Sequence, residues 1–361
     1  MKEEEFNELL ESEDGFNKDI NKKIKKAMRK QINSRVISII CAIAVITAVL
    51  YYGTSFLFDK TSYNPFHEND FLVLNDERDS LDGFHVLMGT YIRMFYPGKL
   101  YYGDSMEHSY EKKGFGSYVV RAKLQNFMDP VEIDGATNVA FNIRDISLDV
   151  ELSDRKALGR IADEFYNENN KELFDDFWLY YSLEDIKELP ESTVLDISLS
   201  FNETRSLEDT VKFINEYGDS RFFWIATGIN TEFTVNYFAV SNGIPLYDIV
   251  EYEFTDEANK EYPGFYLDYD FTANNIEESY LSRLKLLIDH EDFVWLVDSL
   301  YPNSTPLLEA LKNRYEEVKA EGIQAVGLRG RVKKADFLKM IERNQLKFAY
   351  INDAKFSSLQ R

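Results

Sequence analysis

The longest uninterrupted apolar segment of the chain runs from Val36 to Phe58, 23 residues without a charged side chain. A helix of this length can cross a hydrocarbon layer of ~30 Å. Tyr51, Tyr52 and Phe56 cluster toward its end, as in an interfacial aromatic belt. The pattern predicts one transmembrane helix over residues 36–58. A buried core helix is the competing interpretation, but buried helices of this length without a charge are rare.

The charges on either side of this segment predict its orientation. Asp19 is the single acid among the residues that lead into it, whereas basic side chains are frequent: Lys18, Lys22, Lys23, Lys25, Lys26, Arg29, Lys30 and Arg35. The flank that follows is mixed, with Asp59, Lys60, His67, Glu68 and Asp70. The positive-inside rule therefore places residues 1–35 in the cytoplasm and residues 59–361 outside the cell membrane. A cleavable signal peptide would have a shorter apolar region and a small-residue cleavage site, so we favour an uncleaved anchor.

The predicted cytoplasmic tail, residues 1–35, is too short for a core of its own but carries helical periodicity. Phe6, Leu9 and Leu10 have i, i+3, i+4 spacing, and Asp14-Gly15 after them is a turn signal. A second periodic run then continues toward the membrane segment with lysines between its apolar positions: Phe16, Ile20, Ile24, Ala27/Met28 and Ile32. The tail is therefore predicted to form amphipathic helices.

Two interpretations of this tail stay open and need not exclude each other. A basic juxtamembrane helix can lie on anionic lipid, or an apolar face can dock a cytoplasmic protein. Acidic residues surround the first apolar group, Phe6–Leu10, which favours a protein partner with a basic surface. The candidate partner-binding residues are Phe6, Leu9, Leu10, Phe16, Ile20 and Ile24.

Beyond the membrane segment the periodicity alternates between helical and strand spacing. We expect a linker over residues 59–80, a helix over 83–95, a strand around 118–124 and a helical region over 154–187 that includes Trp178. The alternation changes phase between Phe141 and Ile146, which predicts either one strand with a β-bulge or two strands.

After Pro190, a candidate subdomain boundary, strands and helices follow one another to the end of the chain. Strands are expected at 195–201, 222–227, 233–240, 323–328 and 348–351, and helices at 207–218, 274–300, 306–320 and 335–341. The fold class is α+β with mixed sheets. We predict a membrane-proximal α+β region over residues 59–190 and a C-terminal α+β domain over residues 191–361.

Composition narrows the function classes. The chain has 361 residues, 44% hydrophobic and 29% charged, which is typical of globular proteins. Residues 1–59 have no net charge, so residues 60–361 carry the whole net charge of −22, which argues against nucleic acid as their partner. Cys41 is the only cysteine and lies inside the apolar segment, which excludes disulfides in the external domain and a lipoprotein anchor.

The sequence contains no recognisable catalytic motif. HExxH, GxSxG and Walker loops are absent, and His67, His85, His108 and His290 form no close metal pair. Gly327 and Gly330 are interpreted as a turn at a strand end rather than a phosphate-binding loop. We therefore predict a protein that is not an enzyme, with no cofactor, no metal and no small-molecule substrate.

Taken together, these segments resemble the sigma factor regulator family, the membrane-bound anti-sigma factors of Gram-positive bacteria. The tail features are the Phe6, Leu9, Leu10 group and the lysine-rich stretch Lys18–Lys30. The segments that resemble the rest of the family are Phe95–Gly98, Gly114–Tyr118, Val194–Phe201, Leu207–Tyr217, Phe222–Ile225 and Gly322–Gly327.

The resemblance implies a mechanism: the tail would hold an extracytoplasmic-function sigma factor at the membrane, and an envelope stress signal at the external domain would release it. The HxxxCxxC zinc motif of another anti-sigma class is absent. The alternative function is a membrane-anchored domain that binds an envelope ligand outside the cell, with a passive tail and no role in transcription.

Overall fold

The computed structural model describes residues 3–61, 63–65, 72, 82–97, 99–103, 110–114, 117–126, 136–141, 146–148, 178–179, 183–228, 243–246, 253–267, 272–298 and 306–356. Within it the chain divides into two compact units, Met1–Lys60 and Thr61–Arg361. The first is a single helix, and the second combines helices with two β-sheets. The predicted α+β class is confirmed.

Helix α1 spans Glu3–Thr61 without interruption. The turn predicted at Asp14-Gly15 is wrong, because the helix continues through both residues. One glycine costs a helix only about 1 kcal/mol relative to alanine, and the surrounding Glu, Leu, Lys and Phe residues sustain the helix on both sides. The linker predicted for residues 59–80 begins inside α1, and most of it lies outside the described residues.

Helix α2 spans Asp82–Phe95, as the sequence predicts, and every residue from Gly83 to Phe95 is buried. The helix has no solvent face, because other elements cover it all round. Its end coincides with Pro97, whose ring cannot continue a helix. Rings from distant parts of the chain meet it: the Phe84 and Phe293 centroids are 6.2 Å apart, and Tyr63 lies 6.1 Å from both.

The first sheet is antiparallel and follows α2 in the chain. Its strands are β1 (Lys99–Gly103), β2 (Tyr110–Gly114), β3 (Ser117–Asn126), β4 (Ala136–Phe141) and β5 (Ile146–Leu148). β3 pairs with β1, β2 and β4, and β4 pairs with β5. The change of alternation between Phe141 and Ile146 therefore marks two separate strands, not one strand with a β-bulge.

The second sheet has six strands in the order β6-β11-β7-β10-β8-β9. They are β6 (Trp178–Leu179), β7 (Thr193–Ser206), β8 (Arg221–Thr227), β9 (Gly243–Pro245), β10 (Gln324–Lys333) and β11 (Leu346–Phe356). The β6–β11 pair is parallel and the other pairs are antiparallel, so the sheet is mixed. Trp178, predicted to be helical, lies instead in β6, and the strand predicted at 233–240 lies outside the described residues.

The remaining helices of the described residues belong to the second unit. They are α3 (Leu183–Glu188), α4 (Leu207–Glu216), α5 (Asp256–Glu261), α6 (Ala273–Asp289), α7 (Glu291–Asp298), α8 (Leu307–Glu321) and α9 (Lys334–Glu342). The capping signals act as expected. The Ser206 side chain accepts a hydrogen bond from the Asp209 amide at the start of α4. Gly322, at φ 76°, ends α8.

Gly327 and Gly330 lie inside β10, so the strand-end turn predicted for them is wrong. The strand pairing shifts register beside each glycine, between Ala325 and Gly327 and between Arg329 and Gly330. A Cβ on Gly327 would lie 2.1 Å from the Leu199 carbonyl oxygen. Glycine is required because the neighbouring strand approaches closely where the ladder is irregular.

Candidate partner-binding site

The residues predicted to bind a partner all lie on α1. Phe6 and Ile24 are 18 residues apart, about five helical turns, so they occupy the same angular position. At about 100° per residue the other four lie within about 80° of that position. We call this face the apolar stripe: Phe6, Leu9, Leu10, Phe16, Ile20 and Ile24. The uninterrupted helix thus joins two groups that the sequence had placed on separate helices.

The stripe continues toward the apolar segment beyond the predicted residues. Ile20 and Ile24 are 38% and 51% exposed. Met28 and Ile32, at the next two four-residue steps, are 56% and 54% exposed. The sequence period included these two residues, but the candidate site did not. Exposed apolar residues at the same helical spacing therefore continue beyond the predicted ones.

The part of α1 that precedes the apolar segment, residues 3–35, has two halves of opposite net charge. Residues 3–19, the acidic half, carry a net charge of −7. Residues 20–35, the basic half, carry +7 and contain no acid. By helical phase Lys22, Lys26 and Arg29 lie opposite the stripe, while Lys23 and Lys25 flank it. The stripe therefore has acidic surroundings at one end and basic surroundings at the other.

The apolar segment of α1 is a candidate membrane span. It is the one helix among the described residues that is long and apolar enough to cross a membrane, within Ile20–Phe58. None of its apolar window is buried, and side chains such as Val49 and Tyr52 are 65% and 72% exposed. The Thr54 hydroxyl donates to the Tyr51 carbonyl at 3.1 Å, so it has a partner within the helix. In this structure the segment is not a core helix, and it is consistent with membrane anchoring.

The histidines placed by the structure have structural roles. His85 is buried, with Nδ1 2.8 Å from the Tyr101 hydroxyl, and His290 is buried, with Nδ1 2.7 Å from the Leu286 carbonyl oxygen. His67 and His108 lie outside the described residues. Among the described residues, no group of three or more His, Cys, Asp or Glu side chains could hold a metal ion.

Among the described residues of the second unit, two carboxyl groups have a raised pKa. Burial raises the pKa of Asp298, although its carboxylate accepts a hydrogen bond from the Leu307 amide at 3.0 Å. Burial, and secondly the charge of Glu208, raise the pKa of Glu277. The two lie on different helices, α7 and α6, and neither is part of a metal-binding group, so we attribute both shifts to packing.

The comparisons with known proteins concern the second unit. Residues 186–353 match the family model described as sigma factor regulator C-terminal. This segment is similar to the C-terminal domain of sigma factor regulators. The match confirms the predicted family on this segment and does not extend to the tail. No curated protein and no solved structure matches the chain.

The matched segment runs from α3 to β11 and includes all of the central strands β7, β10 and β8. Its inward-facing residues on β7 alternate as predicted, since Leu195, Ile197 and Leu199 are all fully buried. The family is regulatory rather than catalytic, which is consistent with the prediction of a non-enzyme. The match supports a general role as an anti-sigma factor, and the family implies interaction with a sigma factor.

Helix α2 precedes the matched segment in sequence. Two hydrogen bonds nevertheless join the backbone at its carboxyl end to the matched segment. The Trp224 indole donates to the Arg93 carbonyl at 3.1 Å, and Arg329 Nη1 donates to the Pro97 carbonyl at 3.1 Å. Trp224 and Arg329 are 1% and 3% exposed, so both bonds are shielded from water. The central strands β8 and β10 therefore hold the end of α2 directly.

A buried lysine connects both ends of the matched segment. Lys334, 2% exposed at the start of α9, donates to the carbonyl oxygens of Lys187 and Leu189 at 2.9 and 2.6 Å. It also contacts the Glu191 carboxylate at 2.9 Å. All three ammonium donors are thus used. A cation at the carboxyl end of α3 also complements the helix dipole. The buried charge has a structural rather than a chemical role.

Proposed function

We propose that this protein is a membrane-anchored anti-sigma factor of the cell envelope. In this proposal residues 1–35 lie in the cytoplasm, residues 36–58 cross the membrane, and the regions 59–190 and 191–361 are extracytoplasmic. The tail sequesters an extracytoplasmic-function sigma factor away from RNA polymerase. A signal received outside, by conformational change or proteolysis, ends the sequestration.

The observation that carries this proposal is the match of residues 186–353 to the sigma factor regulator C-terminal model. Two features of the chain agree with it. The candidate span within Ile20–Phe58 provides a membrane anchor. The short helical tail before it carries an apolar stripe with the spacing of helix-in-groove ligands.

The apolar stripe is suited to a groove on a protein partner. From Phe6 to Ile24 it measures about 27 Å along the helix, enough for several anchoring side chains. Its acidic half favours a groove with a basic rim, because opposite charges speed association and exclude wrong partners. Anchoring confines the tail to the membrane, so a partner released from one tail meets others at high local concentration.

The experiment is affinity purification of the full chain from detergent-solubilised membranes, with identification of the retained proteins. We expect a sigma factor to be retained. In the double variant L9D/L10D the two new charges lie on the apolar stripe, and we expect the sigma factor to be lost while membrane insertion stays normal.

The matched control is N7D/S12D, which adds the same two negative charges to the acidic half but outside the stripe. This control should retain the sigma factor. If no sigma factor is retained by the unmodified chain, or if both double variants behave alike, the proposed tail function is wrong. An extracytoplasmic binding domain with a passive tail would then be the better description.

A further inference from the structure

We propose that the basic half of α1, residues 20–35, binds the anionic surface of the lipid bilayer and that this binding competes with the protein partner. In the lipid-bound state the bilayer covers Ile20, Ile24, Met28 and Ile32. The competition rests on the proposed function, because Ile20 and Ile24 also belong to the apolar stripe that receives the sigma factor. The lipid interaction itself does not require a sigma factor.

Charge is the first observation behind this proposal. The basic half carries a net charge of +7 without a single acid and runs directly into the candidate span. The negative potential of anionic lipid falls off within about 8 Å at physiological salt, so only residues close to the membrane respond to it. The acidic half, with a net charge of −7, would be repelled by the same surface if it came within this distance.

The arrangement of side chains is the second observation. The apolar residues of the basic half are 38–56% exposed and form one narrow face. Lys23 and Lys25 stand on either side of this face by helical phase. Helices that lie in a membrane interface have this arrangement, because the apolar face enters the acyl boundary while flanking lysines extend to the headgroups.

The proposal requires two states of α1, one straight and one bent. If the helix stays straight, Ile20 lies about 24 Å along the axis from Val36, beyond reach of the bilayer surface. For Ile20 and Ile24 to enter the interface, the helix must bend near the polar residues Gln31, Asn33 and Ser34. The straight state leaves the stripe open to a protein, and the bent state covers it with lipid.

Because each ligand favours a different state, lipid and partner weaken each other's binding by the same factor. Neutralising the lysines should therefore strengthen the partner's hold on the tail. If the same lysines contacted the partner instead, neutralising them would weaken partner binding. The direction of the change in binding therefore distinguishes the two roles.

The first experiment uses the full chain in nanodiscs, with Cys41→Ala to remove the only cysteine. An environment-sensitive fluorophore is attached at Met28→Cys or, as a matched control, at Leu10→Cys. The two positions are 18 residues apart and share one angular position, but they lie in halves of opposite charge. The nanodiscs contain phosphatidylcholine alone or phosphatidylcholine with phosphatidylglycerol.

At position 28 we expect a blue shift and a roughly threefold lower quenching constant for neutral acrylamide when phosphatidylglycerol is present. High salt or the variant K22Q/K23Q/K25Q/K26Q should abolish both changes. Position 10 should not respond. Equal signals in the two lipid compositions, a response at position 10, or a response that survives lysine neutralisation would each overturn the lipid interaction.

The second experiment measures in cells the transcripts that rise when the gene for this chain is deleted. Competition predicts that K22Q/K23Q/K25Q/K26Q lowers these transcripts by roughly threefold, because the stripe is freed for the partner. A rise or no change overturns the competition. If deletion raises no transcripts at all, the proposed function fails, whereas the nanodisc result is unaffected.

Discussion

The two units of this chain differ in whether their large apolar side chains are exposed or buried. In α1 large apolar side chains are open to solvent, as the exposures of Val49 and Tyr52 show. In the second unit α2 is buried on every side, and Trp224, the largest fully buried side chain among the described residues, is 1% exposed. The second unit is stabilised by its own core, whereas α1 exposes apolar surface that other molecules must cover.

Residues of the second unit should therefore determine its folding stability, and residues of α1 should determine what the chain binds. A substitution in the second unit should act on the free energy of unfolding, because its neighbours are fixed by packing. A substitution on α1 should act on what the helix binds and leave the second unit unchanged. Pairs of variants test whether this separation holds.

The largest difference is expected between two glycines. A Cβ on Gly327 would lie 2.1 Å from the Leu199 carbonyl oxygen, whereas a Cβ on Gly53 meets nothing within 4 Å. We expect Gly327→Ala to destabilise the second unit by about 3 kcal/mol or more, because both clashing groups belong to central strands.

Chemical unfolding of the full chain in detergent, followed by tryptophan fluorescence, measures this effect. Gly53→Ala should leave the unfolding midpoint unchanged. A Gly327→Ala variant as stable as the unmodified chain would show that β7 and β10 are not packed as closely as the structure has them.

A smaller difference is expected between two adjacent lysines. Lys334→Met leaves the carbonyls of Lys187 and Leu189 without their buried donor, and we expect a loss of about 2–3 kcal/mol. Lys333→Met removes only an ion pair with Asp219 in which both side chains are largely exposed, so we expect a much smaller loss. The same unfolding measurement compares them, and equal losses would contradict a structural role for the buried ammonium group.

On α1 the corresponding test concerns binding. L9D/L10D should weaken partner binding by about 2 kcal/mol, roughly thirtyfold, because two anchoring leucines become charged. Transcripts controlled by the partner should rise, while the unfolding midpoint of the second unit stays that of the unmodified chain. A lowered midpoint would mean that the two units are not separable in the way proposed here.

The smallest effect depends on pH. Burial raises the pKa of Glu277 above its ordinary value of 4.5, so the stability linked to this group is fully present below that pH. It is lost as the pH rises through the raised value. Glu277→Gln should therefore raise the unfolding midpoint slightly at pH 7 and have no effect near pH 4. A gain of equal size at both pH values would rule out ionisation as its cause.

The elements of the second unit were largely predictable because their signals are local. The alternation of Leu195, Ile197 and Leu199 predicts β7, and the Ser206 cap predicts the start of α4. The close approach at Gly327 was not predictable, because it depends on a strand more than a hundred residues away in sequence. The same holds for Lys334, which looks like any surface lysine until α3 is placed beside it.

For the candidate site, spacing identified the apolar residues but not their continuity. The signal at Asp14-Gly15 suggested a turn, although a single glycine does not outweigh the helical preference of its neighbours. With the turn removed, Phe6 and Ile24 fall on one face, and Met28 and Ile32 extend it. The partner itself is not encoded in any local pattern, so its identity stays a prediction.

The anchoring of α2 has a mechanical consequence. Along the chain, α2 comes before every strand of the six-stranded sheet, and its carboxyl end is tied to that sheet by Trp224 and Arg329. A force on the backbone from the side of α1 would reach Tyr63 and Leu72, which are already packed into the second unit, before it reached these two bonds. The bonds of Trp224 and Arg329 are then the next links in the load path toward β8 and β10, and burial keeps water from replacing them.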